Sequence, residues 1–171
     1  AFITELAEVF QVYYDRVALG REKVTLEYST TIKENDYLQS LRGSFDRDRV
    51  LTYTTVGIHR DDITLSIEGY PVKRLGSQGQ KKSFLTALKF AQFAYLAQQK
   101  GVKPLLLLDD IFDKLDADRV SQIIRIVSEE NFGQVFITDT NRGHIDEILR
   151  LHAIDYKIFK VDQGVISDFK F

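Results

Sequence analysis

Four leucines in a row followed by two aspartates, Leu105-Leu-Leu-Leu-Asp-Asp110, constrain this chain more than any other stretch. An apolar run of that kind predicts a strand buried on both faces, as found in the middle of a parallel sheet. Asp109 and Asp110 then fall at its carboxyl end, where open α/β sheets place their ligands. Burying a charge without a partner is costly, so adjacent carboxylates there point to a bound cation or a reacting water. The bland alternative is a strand whose polar end merely reaches solvent.

A hydrophobic strand ending in Asp is the Walker B arrangement, in which the Asp serves Mg²⁺ on a nucleotide. Its upstream neighbour, Leu75-Gly-Ser-Gln-Gly-Gln-Lys-Lys82, opens a predicted helix from about Gln78 to Gln99. That helix is apolar almost all round (Phe84, Leu85, Leu88, Phe90, Phe93, Leu96) and belongs in a core. Ser77 is a natural N-cap, and Gly76 and Gly79 leave backbone amides open. Those amides, with roughly half a positive charge of helix dipole, make an anion site. Ser and Gly are also ordinary helix-start residues, so a coincidental loop competes with this reading. Gly76-Ser-Gln-Gly-Gln-Lys-Lys-Ser83 nearly spells the P-loop G-x-x-x-x-G-K-[ST], but Lys81 stands where the second glycine belongs. Val72-Lys-Arg-Leu75 is also a poor candidate for the strand a P-loop needs before it, so that match is rejected.

The Ser-Gln-Gly-Gln helix start and the Asp-Asp strand together resemble the signature motif and Walker B of ABC-type ATPases. With Thr55-Val-Gly-Ile-His-Arg-Asp-Asp62, Leu115-Asp116 and Val135-Phe-Ile-Thr138 in the same order, the chain resembles the carboxy-terminal part of the RecF DNA replication and repair family, from roughly Gly20 onward. The resemblance implies an α/β fold: the carboxy-terminal lobe of an ABC-type ATPase head, with a mixed sheet and flanking helices, plus part of a helical lid. The lid piece is expected over residues 1–52 and the ATPase lobe over 53–171.

The function implied is ATP-dependent DNA binding in replication and recombinational repair, with ATP and Mg²⁺ as cofactors. Two subunits are expected to close head-to-tail over two ATP molecules and hydrolyse them slowly. Asp109 would hold the metal and Asp110, where many ABC ATPases have Glu, would polarise the attacking water. Ser77, Gln78, Gly79 and Gln80 would meet the partner's nucleotide, and Leu115 and Asp116 would form the D-loop. Thr138, Asp139 and Thr140 occupy the switch region. Asp139 stands where a histidine is usual and cannot donate to a γ-phosphate, so Thr138 or Thr140 is the better candidate. Asp113-Lys114 also replaces the small residue and acid common before Leu-Asp in this family. Partners implied are DNA at single-strand/duplex junctions, the RecO and RecR mediators, and a second copy of the protein. No P-loop occurs in the chain, which begins at Ala1 within a predicted helix. The resemblance puts the P-loop in an amino-terminal half, so this is expected to be a carboxy-terminal fragment without ATPase activity of its own.

A net charge of −2 argues against a uniformly basic nucleic-acid binder. DNA contact would use local patches, the best being Lys73, Arg74, Lys81 and Lys82. Arg42, Arg47 and Arg49 form another, diluted by Asp46 and Asp48. His59 and Arg60 are further candidates, although a salt-bridged turn explains that loop equally well. The absence of cysteine removes disulfides and thiolate metal sites and fits a cytoplasmic protein. No apolar run approaches the ~20 residues that span a membrane. Two other classes compete: a non-catalytic DNA-binding or dimerisation module with structural carboxylates, and a phosphoacceptor receiver domain. Too little chain follows Asp110 to complete the latter.

The remaining pattern predicts a helix over 2–18, a strand over 23–31 and a helix over 36–47. Extended segments are expected at 50–56, 63–68 and 70–74, the last two joined at Glu68-Gly69. A helix over 117–129, a buried strand over 134–138, a short helix over 144–151 and a hairpin about Gln163-Gly164 complete the reading.

Overall fold

The computed structural model describes residues 2–32, 36–130, 132–140 and 155–169, in two compact units, Ala1–Val102 and Lys103–Phe171. The expected boundary near residue 52 therefore falls inside the first unit, where β1 (Val24–Ser29) pairs across it with β2 (Asp62–Ile67). The expected helix over 144–151 lies outside the described residues.

In the first unit, α1 (Phe2–Ala18) buries Leu6, Phe10, Tyr13, Tyr14 and Val17, a stripe at helical spacing. It packs on α4 (Gln78–Lys100) through rings: Phe10 on Phe84 at 4.6 Å, Tyr13 on Phe90 at 5.6 Å and Phe2 on Tyr95 at 5.0 Å between centroids. Each such pair adds about 0.5–1.5 kcal/mol beyond the area it buries. Sequence periodicity overstated the burial of α4, because Leu85 and Leu96 are exposed. β1 and β2 run antiparallel from Val24↔Ile67 to Ser29↔Asp62, and β3 (Tyr70–Pro71) adds a short third strand. Glu68 and Gly69 both have left-handed backbone (φ 51° and 78°), as a two-residue hairpin of this twist requires.

Two extended segments are corrected. The first, 50–56, begins inside α2 (Tyr37–Leu51), which ends at Thr52 in left-handed conformation. Asp48 then accepts from both the amide (2.9 Å) and hydroxyl (2.6 Å) of Thr55, folding the following residues back before any strand can form. In the second, 70–74, only Tyr70–Pro71 is extended. Pro71 has no N–H to continue the ladder, and Val72–Leu75 instead close a helical turn, α3.

The second unit holds a parallel pair, β4 (Leu106–Leu108) and β5 (Val135–Ile137), with α5 (Ala117–Glu129) between them in sequence. α5 buries Val120, Ile123, Ile124 and Ile126. The leucine run is not buried on both faces. Leu106 and Leu108 are buried, whereas Leu105 and Leu107 are each 62% exposed. Phe136, the partner of Leu107 in the ladder, is 47% exposed, so β5 is not fully buried either. One face of this two-stranded sheet is bare, because no further strand or helix of the unit covers it among the described residues. β6 (Ile158–Asp162) and β7 (Val165–Phe169) form the expected hairpin, with Gln163 and Gly164 at φ 48° and 80°.

Candidate functional site

At the end of β4 the ladder continues past the strand. The Thr138 amide donates to the Leu108 carbonyl at 2.9 Å. The Asp110 amide donates to the Thr138 carbonyl at 3.1 Å and to its hydroxyl oxygen at 3.0 Å. That hydroxyl in turn donates to the Asp109 carboxylate. One threonine on β5's end thus fixes both aspartates. Asp110 has φ 45°, a left-handed conformation that costs a non-glycine residue about 1–2 kcal/mol. Ile111 and Phe112 are buried immediately afterwards and hold the bend. Asp109 and Asp110 remain exposed at the carboxyl end of the strand.

No group of three or more His, Cys, Asp or Glu gathers into a metal cage among the described residues. An exposed carboxylate pair fits Mg²⁺, which binds through one or two carboxylates, phosphate oxygens and water. The bend ends in Leu115, whose amide donates to the Phe112 carbonyl at 3.2 Å. Asp116 caps α5, accepting from the Arg119 amide at 2.9 Å and pairing with its Nε at 3.3 Å. Lys114, at φ 64°, pairs with Asp113 at 3.6 Å. Of the candidate switch residues, Thr138 holds Asp109, Asp139 is half-buried and Thr140 is exposed.

The Ser-Gln-Gly-Gln turn lies in the first unit. A Cβ on Gly76 would stand 2.8 Å from the Val72 carbonyl oxygen, so close approach of α3 excludes any side chain there. Ser77 and Gln80 form a reciprocal capping box: Ser77 Oγ accepts from the Gln80 amide at 3.1 Å, and Gln80 Oε1 from the Ser77 amide at 2.8 Å. The amides of Gln78 and Gly79 make no hydrogen bond among the described residues and are the outward donors of the first turn. Gln80 Nε2 donates to Glu22 Oε1 at 3.0 Å, and Tyr14 donates its hydroxyl to the other oxygen of Glu22. Glu22 lies in the α1–β1 loop and belongs to no motif; sequence reasoning had no signal for it.

Lys73 and Arg74 on α3 and Lys81 on α4 are exposed on the two short steps of chain flanking Gly76, while Lys82 is half-buried. His59 and Arg60 sit on a 3₁₀ turn, Ile58–Arg60, and both reach the Thr54 carbonyl, at 3.0 and 3.2 Å. Arg60 also stacks over Tyr53 at 4.9 Å. These contacts give the loop an internal, bracing role. Two carboxylates secure it, Asp48 from α2, outside the motifs, and Asp61 from within the Thr55–Asp62 motif itself. Asp48 is held below the ordinary carboxylate range, chiefly by the Thr55 hydroxyl, and Asp61 likewise by the hydroxyl of Tyr28.

No protein-family model matches the chain. A solved SMC ATPase structure is 18% identical with a TM-score of 0.55, matching 99% of this chain and 86% of that one. A structure of the recombination mediator protein RecF with a bound nucleotide, "RecF-ATPrS in RecFOR pathway", gives a TM-score of 0.71 at 26% identity, over 99% of this chain and 45% of that one. The fold is accordingly the carboxy-terminal lobe of an ABC-type ATPase head. Among curated proteins, RecF of Bacteroides thetaiotaomicron is 48% identical over 168 residues, 98% of this chain and 46% of the relative. RecF of Flavobacterium johnsoniae is 46% identical over 160 residues, 94% of this chain and 45% of the relative. The chain belongs to the RecF family and spans a little under half the length of these relatives. Among the described residues no helix is long and apolar enough to cross a membrane.

Proposed function

We propose that the full-length protein carrying this segment is an ATP-dependent DNA-binding protein of replication and recombinational repair, located in the cytoplasm. It dimerises on ATP and hydrolyses it slowly. The observation that carries the reading is the placement of Asp109 and Asp110 by Thr138 at the carboxyl end of β4. Asp109 keeps an exposed carboxylate for Mg²⁺, which when bound with nucleotide would neutralise phosphate charge. Asp110 accepts a proton from, or orients, the attacking water. Its side chain is one bond shorter than glutamate, about 1.5 Å less reach, which favours slow turnover.

The Gln78 and Gly79 amides, at the positive end of α4, receive the γ-phosphate bound by the other subunit. Leu115 and Asp116 form the D-loop, with Asp116 acting through its cap on α5. Lys73, Arg74 and Lys81 are the DNA-facing cations, with a junction between single strand and duplex as substrate and RecO and RecR as partners. The relatives' description as DNA replication and repair proteins supports the biological setting.

The deciding experiment is equilibrium ATP binding beside ATP-dependent sedimentation for Asp109→Asn and Asp110→Asn in the full-length protein. Asp109→Asn weakens Mg²⁺-dependent binding; Asp110→Asn binds ATP and accumulates the dimer. If Asp110→Asn fails to bind while Asp109→Asn dimerises normally, the two roles are reversed.

A further inference from the structure

Gln80 uses both ends of its amide: the oxygen holds the Ser77 amide and the nitrogen donates to Glu22. The two ends of a glutamine amide have nearly the same shape, so packing alone does not choose between them. A flipped amide would set its NH₂ against the Ser77 N–H, donor against donor, and open the capping box. Both oxygens of Glu22 act as acceptors, one from Gln80 and one from Tyr14, and an acceptor at that place admits just one orientation of the amide. Tyr14 has no exposed surface. The Tyr14 ring packs 5.8 Å from that of Phe84, about one helical turn beyond Gln80 on α4. Gln80, Glu22, Tyr14 and Phe84 therefore close a circuit that begins and ends on the same helix.

We propose that Glu22 is a positioning residue for the phosphate-facing turn: by fixing the Gln80 amide it keeps the Gln78 and Gly79 amides aimed outward. The proposal rests on the signature-turn role given under Proposed function. Glu22 touches no nucleotide in this scheme and acts only through Gln80.

The test is an exchange of partners in the full-length protein, with sedimentation in ATP, ATP affinity of the single subunit and thermal unfolding measured together. Gln80→Glu retains a residue type that completes a capping box but opposes a carboxylate to Glu22. It is expected to weaken ATP-driven dimerisation about 10-fold, the usual scale for a lost hydrogen bond. Single-subunit ATP affinity stays unchanged. Adding Glu22→Gln restores a donor facing an acceptor and recovers dimerisation. A purely structural role for Glu22 would move only the unfolding temperature. Wild-type dimerisation by Gln80→Glu, or no recovery in the folded double variant, overturns the proposal while leaving the turn's own role intact. Normal dimerisation by Ser77→Arg would instead remove the role of the turn itself, and the Glu22 proposal with it.

Discussion

At Ser77–Gln80 the side-chain oxygens are engaged within the turn and backbone amides face out, whereas at Asp109–Asp110 the backbone is held and carboxylates face out. The first region satisfies itself locally, with a capping box four residues long braced by Glu22. The second depends on a residue 28 positions away in sequence, Thr138, and on a left-handed aspartate. The lesson is that similar-looking motif residues serve opposite ends: some present themselves, others hold the backbone that does the presenting. Gln80 and Asp116 belong to the holding class, Asp109 and Asp110 to the presenting class.

The largest effect expected from breaking this contrast is at Ser77. Ser77→Arg removes the cap, about 1 kcal/mol, and sets a bulky cation in the path of the packed partner. The full-length variant is expected to bind ATP as a single subunit yet lose ATP-induced dimerisation, hydrolysis and ATP-dependent DNA binding, checked by equilibrium binding and sedimentation. Next comes Asp110→Asn, where loss of water activation lowers turnover by about 10²–10⁴-fold, measured under steady state with dimerisation as the control. Asp110→Gly sharpens the same point in two directions. Glycine relieves the left-handed strain, so thermal stability rises by up to about 1 kcal/mol while hydrolysis falls as far as in Asp110→Asn. An increase in activity would contradict a carboxylate role.

The smallest effect concerns the bracing loop. Asp48 has a depressed folded-state pKa, so its contribution is present above the unfolded carboxylate value of about 3.9 and is lost as pH falls through the lower folded value. Hydrogen exchange of the Thr55 amide is therefore expected to accelerate in that acid window, and Asp48→Asn is expected to abolish the pH step.

What the sequence made legible is what local chemistry decides. The α1 stripe, the Ser77 cap, the Glu68-Gly69 and Gln163-Gly164 turns and the strand that leads into Asp109 all follow from residue type and spacing. Side-chain bonds between distant residues were not legible. Asp48 reaching Thr55 turned a predicted strand into a folded-back connection, and Glu22 reaching Gln80 spans 58 positions. Leucine periodicity was ambiguous for a different reason: a run of identical apolar residues cannot say which alternate members find cover. The glycine at Gly76 was read as an open amide, but its stronger constraint is the 2.8 Å approach of the Val72 carbonyl.

That choice of alternate leucines has a practical consequence. Leu105, Leu107 and Phe136 give the polypeptide, handled without other chain segments, a greasy flank beside a two-stranded parallel sheet. Exposed apolar patches and open strand edges attract one another indiscriminately. Turbidity and high-molecular-weight species would then build up with protein concentration whether or not nucleotide is present, and polar substitutions at these three positions should clear the solution.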